Sequence, residues 1–140
     1  MRITAEDTPP LDSALALYDS VGWTAYTRDP DRLARSLTGS HLVVTAWDDD
    51  GGLIGLARTV SDGESICYIQ DILVHPASRR HGVARALMEE IRGRYGHCMF
   101  LALSTDADGT EDAAQSHPFY RALGFRSHPD LGLAAFGYRP

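Results

Sequence analysis

Ile69-Gln70-Asp71-Ile72-Leu73-Val74-His75-Pro76-Ala77-Ser78-Arg79-Arg80-His81-Gly82-Val83-Ala84 is the stretch on which the fold turns. Its first six residues form a largely apolar, β-branched run, which reads as a strand. Pro76 ends that run, and a basic loop follows. From Val83 to Tyr95 the apolar positions 83, 84, 87, 88, 91 and 95 fall on one stripe of a helix. The order is strand, basic loop, helix. The first N–H groups of a helix have no intrahelical partner, and the helix dipole is positive at that end. A phosphate or pyrophosphate can accept those hydrogen bonds. Gly82 lets the backbone come close to such a ligand.

The elements on either side extend this unit. Leu11 to Tyr18 has the spacing of a helix, and Asp29-Pro30 reads as the cap and first position of a second helix running to Leu37. His41–Trp47, Leu53–Val60 and Ser65–Val74 are strand-like and separated by turns at 48–52 and 61–64, which predicts three consecutive antiparallel strands. Cys98 to Leu103 is a further apolar strand. A strand–helix–strand order implies that it pairs in parallel with its neighbour. Residues 104–115 read as a polar loop, Pro118 to Leu123 as a short helix stopped by Gly124, and Phe125-Arg126 and Leu133–Tyr138 as closing strands. The expectation is one α+β domain over residues 1–140, with a mixed central sheet of about six or seven strands flanked by about four helices.

Composition narrows the function. The chain has 140 residues, 44% of them hydrophobic and 23% charged, as in an ordinary globular domain. No apolar stretch approaches the ~20 residues of a membrane helix, and the first residues lack an apolar signal core, so a cytoplasmic location is expected. A net charge of −6 argues against nucleic acid as partner. Between Arg79 and Arg94, however, five Arg stand against two Glu, a local excess of +3 that suits a small polyanion. Arg92 and Arg94 read as solvated helix residues. Cys67 and Cys98 read as buried reduced thiols, and the six His show no metal-ligand spacing, so no metal is expected.

Two motifs in this order resemble those of the GNAT superfamily of N-acetyltransferases, in its small bacterial form. Arg79-x-x-Gly82-x-Ala84 is similar to the family's Gln/Arg-x-x-Gly-x-Gly/Ala signature. Phe119-Tyr120-Arg121-Ala122-Leu123-Gly124-Phe125 is similar to its late Phe-Tyr-x-x-x-Gly-Phe motif. The resemblance spans about Leu42 to Phe125 and implies the GNAT fold, with a V-shaped splay between strands four and five. It implies acetyl-CoA, or a close acyl-CoA, as cosubstrate. The backbone of Arg80, His81, Gly82, Val83, Ala84 and Arg85 would cradle the pyrophosphate. Arg79 stands at the signature's first position, and Arg80 and Arg85 would add charge. Ile72, Leu73 and Val74 would pair with the pantetheine arm, and an N–H near Leu73 or Val74 would polarise the thioester carbonyl. The stretch after the fifth strand departs from the pattern. Many members carry an Asn there that touches the pantetheine, where this chain has Ser104-Thr105-Asp106-Ala107-Asp108.

The implied reaction is acetyl transfer to a primary amine by direct attack in a ternary complex. Tyr120 occupies the family's Tyr position and is the expected acid for the departing thiolate, as well as a cofactor contact. Asp71 is a carboxylate in an apolar strand. It reads either as a catalytic or amine-binding group or as a structural hydrogen-bonding one. Tyr68 and Gln70 are candidates for lining a water path. His75 and His117 have usable pKa values, but their loop positions favour surface roles. Trp23 and Tyr26 read as an aromatic wall for an apolar acceptor, or as core packing. All 13 basic side chains are Arg. That reflects either genome composition or a protein that dispenses with acylable amines. The competing function is a module that senses acyl-CoA without catalysis, and a further one is an interaction protein whose basic loop contacts another anion. Partners are therefore the coenzyme and an amine, and a homodimer edge is expected at Leu133–Tyr138.

Overall fold

A computed structural model describes residues 1–140. The chain divides into two compact units, Met1–Leu103 and Ser104–Pro140.

The first unit is a five-stranded sheet in the order β1-β2-β3-β4-β5. Its strands are β1 (Arg2–Thr4), β2 (Leu42–Trp47), β3 (Leu53–Ser61), β4 (Ile66–Val74) and β5 (Phe100–Leu103). The first four pair antiparallel, and β4 and β5 pair parallel, as the intervening helix demands. Helices α1 (Leu11–Ser20), α2 (Thr24–Thr27), α3 (Pro30–Gly39) and α4 (Val83–Tyr95) belong to this unit. Asp29 caps α3 through the Arg32 N–H, with Pro30 next, as the sequence predicts.

The sheet is covered on two faces. On one face Val43, Leu56 and Leu73 pack with Ala14, Leu17 and Tyr18 of α1 and Leu33 and Leu37 of α3. On the other a Cβ at Gly55 would meet Val83 and Leu87 of α4 and Ala46 of β2. Only hydrogen fits there, so Gly55 sets how closely α4 approaches the sheet. Each buried Leu contributes roughly 1.5–3 kcal/mol through removal from water.

The second unit holds α5 (Ala113–Ala122) and one 3-10 turn, Pro129–Leu131. Here two expectations are corrected. The helix begins at Ala113, five residues before Pro118; its N-cap is Asp112, without a side-chain cap bond, and the Thr110 hydroxyl in the turn before it accepts the Ala113 N–H. Pro118 sits inside it. The closing strands at Phe125-Arg126 and Leu133–Tyr138 do not form, so the sheet has five strands rather than six or seven. Strand propensity is realised only against a partner strand, and Phe136 and Tyr138 are almost fully exposed instead. The dimer edge expected from that strand therefore has no strand behind it in this structure.

Candidate active site

The site begins with one extra residue in β4. Arg58 of β3 lies opposite Asp71, but its neighbour Thr59 lies opposite Ile69, so Gln70 has no counterpart. It is a β-bulge, which bends the strand and shifts its facing. Thr59 faces α4, where its hydroxyl meets the Tyr95 hydroxyl at 2.8 Å. Ile69, directly opposite, shares that face. Were Gln70 an ordinary paired strand residue, strict alternation would put Asp71 on the α4 side too. The bulge turns it to the α1 side.

There Asp71 is 5% exposed and fully engaged. The Arg58 Nε donates to its Oδ2 at 2.5 Å, the Tyr18 hydroxyl to the same oxygen at 2.9 Å, and the Tyr26 hydroxyl to Oδ1 at 2.9 Å. Arg58 Nη2 also donates to the Tyr26 oxygen at 3.0 Å, and its guanidinium lies 5.6 Å from the Tyr26 ring centre. Burial opposes the Arg58 charge, but Asp71 and then Tyr26 outweigh it and hold the guanidinium charged far beyond the usual range. Burial and then the Asp71 carboxylate push the Tyr18 phenol well above its ordinary value. Arg58 and Tyr18 were not singled out from the sequence. The available signal was a lone Arg in the apolar strand Leu53–Val60, matched by a lone Asp in the next.

Beyond the bulge, β4 has a free edge. Its ladder with β5 covers Ile66–Ile69 and stops. The His75 N–H donates to the Ile54 carbonyl of β3 at 2.8 Å. Peptide groups alternate along a strand, so Leu73 also faces β3, while the N–H and C=O of Ile72 and Val74 face the open side. Of the two N–H groups expected to polarise a carbonyl, the geometry makes Val74 available, with Ile72 beside it.

The loop that follows is built from unusual backbone. The His75 imidazole Nδ1 accepts the Ala77 N–H at 3.1 Å and so caps the 3-10 turn Pro76–Ser78. Arg80 has φ +64° and Gly82 φ +77°, both in the left-handed region. Backbone strain of this kind gathers at ligand loops. Gly82 is the N-cap of α4, with no side chain to cap the helix. The first intrahelical bond runs from the Ala86 N–H to the Gly82 carbonyl. The N–H groups of Val83, Ala84 and Arg85 precede it and point out of the helix end. A Cβ at Gly82 would meet nothing within 4 Å, so the space before the loop is open. Arg79, Arg80 and His81 immediately precede that end in sequence, and Arg85 lies in the first turn of α4.

In the second unit Tyr120 lies on α5, with Phe119 and Phe125 at ring-centre distances of 5.1 and 6.1 Å. Burial, then Asp106, raises its phenol above the ordinary value, with Thr105 partly offsetting. It holds its proton at neutral pH, as a proton donor must. The stretch that departs from the expected Asn pattern thus supplies neighbours to Tyr120. His117 lies on α5 rather than in a loop; its Nε2 donates to the Asp106 carbonyl at 2.6 Å, and its Nδ1 lies 3.2 Å from Asp108.

Similarity to known proteins agrees with this arrangement. The family model for the acetyltransferase (GNAT) domain matches residues 39–127. The chain is 31% identical over 135 residues to the histone acetyltransferase TAP1 of Glycine max, covering 88% of this chain and 54% of that protein. It is 28% identical to the uncharacterized N-acetyltransferase ycf52 of Porphyra purpurea, covering 87% of this chain and 68% of the relative. The chain thus spans only about half the length of the soybean protein. A solved GNAT-family acetyltransferase from Streptococcus pneumoniae superposes with a TM-score of 0.84 at 29% identity, over 99% of this chain and 97% of the other. With its bulged fourth strand, parallel fifth strand and left-handed glycine at the mouth of α4, this chain belongs to the GNAT acetyltransferase family.

Proposed function

We propose that the chain moves an acetyl group from acetyl-CoA to a primary amine, by direct attack while both substrates are bound. The observation that carries this is the unpaired edge of β4, with the Ile72 and Val74 peptides turned outward, running straight into the Arg79–Arg85 loop. A pantetheine arm can add to that edge as a strand would. The N–H groups of residues 80–85 take the pyrophosphate, with Arg79, Arg80 and Arg85 supplying charge. The outward N–H of Val74 then polarises the thioester carbonyl.

The remaining chemistry concerns protons. An alkyl amine with a pKa like that of Lys is neutral in about one molecule in 2,500 at pH 7, equivalent to about 4.6 kcal/mol. The amine must lose a proton before attack, and the leaving thiolate must gain one. Tyr120 supplies the latter in this reading. Asp71 enters as a positioning group, since both of its oxygens are already held. The proposed reaction calls on no metal. Two unpaired cysteines fit a reducing, cytoplasmic setting.

Calorimetric titration with acetyl-CoA, followed by a thiol-release screen over small amines and peptides, tests the reading. Saturable binding and thiol release with at least one amine are expected. Binding without release from any amine would make the chain an acyl-CoA sensor instead, and no binding would remove both. Tyr120→Phe should lower turnover about 100-fold while coenzyme affinity stays within about twofold. Unchanged turnover would exclude Tyr120 as the acid.

A further inference from the structure

The loop before α5 is tied to that helix by two neighbouring side chains. The Ser116 hydroxyl donates to Asp106 Oδ2 at 2.8 Å. His117 Nε2 donates to the Asp106 carbonyl at 2.6 Å, and its Nδ1 lies 3.2 Å from Asp108 Oδ1. The loop residues held in this way act on Tyr120. The Thr105 hydroxyl is hydrogen-bonded to the phenol, and the Asp106 carboxylate acts on it through its charge. His117 and Tyr120 stand three residues apart on α5, and so on one side of the helix. All of these groups belong to the second unit.

The imidazole decides what this tie requires. A backbone carbonyl and a carboxylate only accept, and one of them faces each ring nitrogen of His117. A neutral imidazole carries a single N–H, which would leave a bare lone pair against the carboxylate or the carbonyl. Only the imidazolium donates at both. The Asp108 side chain is 90% exposed, so the ion pair is the weaker half of the tie. The other charged residues close by in the chain are Glu111 and Asp112 before the helix and Arg121 one turn after His117.

We propose that His117, charged and bridging the Asp106 carbonyl and the Asp108 carboxylate, is a positioning residue for Tyr120. It holds Thr105 and Asp106 against the phenol and so sets the proton that Tyr120 delivers. This rests on the reading of Tyr120 as the acid, and adds to it the group that positions the acid and the charge that group must carry.

A double-mutant cycle tests this, with acetyl-CoA and whichever amine the wild type turns over best. His117→Ala should lower kcat about tenfold. In a Tyr120→Phe background the same change should cost less than about twofold, because no phenol is left to position. Equal losses in the two backgrounds would make His117 a structural tie and overturn the assignment, as would wild-type turnover in His117→Ala. A second readout needs no substrate. The tyrosinate absorbance that Tyr120→Phe removes should appear at lower pH in His117→Ala. Release of the loop lessens burial and takes Asp106 away, and both of these raise the phenol. An unmoved tyrosinate titration would overturn the assignment. Asp108→Asn probes the charge, because an Asn amide can donate to a bare Nδ1 and so satisfy the neutral ring. The ratio of wild-type to Asp108→Asn turnover cancels deprotonation of the amine. It should fall about two- to fivefold between about pH 5 and about pH 9, as the imidazolium loses its proton. A flat ratio would overturn the requirement for charge. Wild-type turnover in Tyr120→Phe alone, or no thiol release by the wild-type protein, would overturn the underlying reading instead, and the tyrosinate titration is independent of both.

Discussion

The two halves of β4 share a strand and differ in their neighbours. Ile66–Ile69 is held by β3 on one side and β5 on the other. Opposite Ile69, Thr59 is tied to α4 by the Tyr95 hydroxyl, which in turn meets His41 Nδ1 at 2.6 Å. Asp71–Val74 is held by β3 alone, and its tie is to the opposite helix layer, through Tyr18 and Tyr26. Gln70 separates the halves. The first half spends its backbone hydrogen bonds on the sheet, and the second keeps the peptides of Ile72 and Val74 for another molecule. An open strand edge is ordinarily a liability. Here the buried cluster on Asp71 holds that edge in place without a second strand.

If so, the largest effect follows from breaking the cluster. Arg58→Ala leaves Asp71 buried without its counter-ion, which costs about 3–5 kcal/mol of stability. Denaturant unfolding should show a lower midpoint with little change in slope. A loss below ~1 kcal/mol would mean that the ion pair does not hold the open half. Arg58→Met, which keeps the volume but also strands the carboxylate, should be nearly as damaging.

Deleting Gln70 separates shape from stability. The deletion brings Asp71 next to Ile69, which already lie opposite consecutive residues of β3, so every other side chain keeps its face. The ladder becomes regular and the bend is lost. Stability should stay within ~1 kcal/mol of wild type, while acetyl-CoA affinity falls about tenfold or more, or 1.4 kcal/mol. Unchanged affinity in a folded deletion variant would show that the bulge does not shape the open edge.

What the sequence made legible divides along similar lines. The Arg79–Ala84 loop could be read because its chemistry is local: a glycine, a helix start and charge lie within six residues. Asp71 was legible as an anomaly, a carboxylate in an apolar strand, but its partners are 13, 45 and 53 residues away, and no local pattern points to them. The bulge was hidden because an apolar run has no alternation to interrupt. The C-terminal strands were misread because Leu133–Tyr138 has strand-like composition without a strand to pair with. The early start of α5 was masked by Gly109 and the polar residues around it, among which the Thr110 hydroxyl takes the N–H of Ala113, the first residue of the helix.

A third variant probes the end of the open half. Gly82→Ala places a Cβ on a residue at φ +77°, which costs about 1–2 kcal/mol for an L-residue even though no atom obstructs it. The midpoint should fall accordingly, and coenzyme affinity should fall as well, since the added methyl enters the space before the loop. Loss of stability with full affinity would place the pyrophosphate elsewhere.

The smallest effect belongs to the closed half, at its entrance. Asp62 in the β3–β4 turn takes the Ser65 hydroxyl and the N–H groups of Glu64, Ser65 and Ile66, the last being the first residue of β4. The Ser65 bond, then those backbone bonds, hold its carboxyl well below the ordinary value of 3.8. A depressed carboxyl favours the folded state at every pH above the ordinary carboxylate range, and that contribution fades as the pH falls toward the folded-state value. Asp62→Asn retains an acceptor oxygen but no charge to titrate. Its unfolding midpoint should lie slightly below wild type at neutral pH, and the gap should narrow as pH is lowered toward about 2. Asp62 is exposed, so salt and water weaken the effect well below that of the buried Arg58 pair. A gap that widens on acidification would mean that the turn carboxylate opposes folding, and that the closed half is secured by β5 and Tyr95 without help from its entrance.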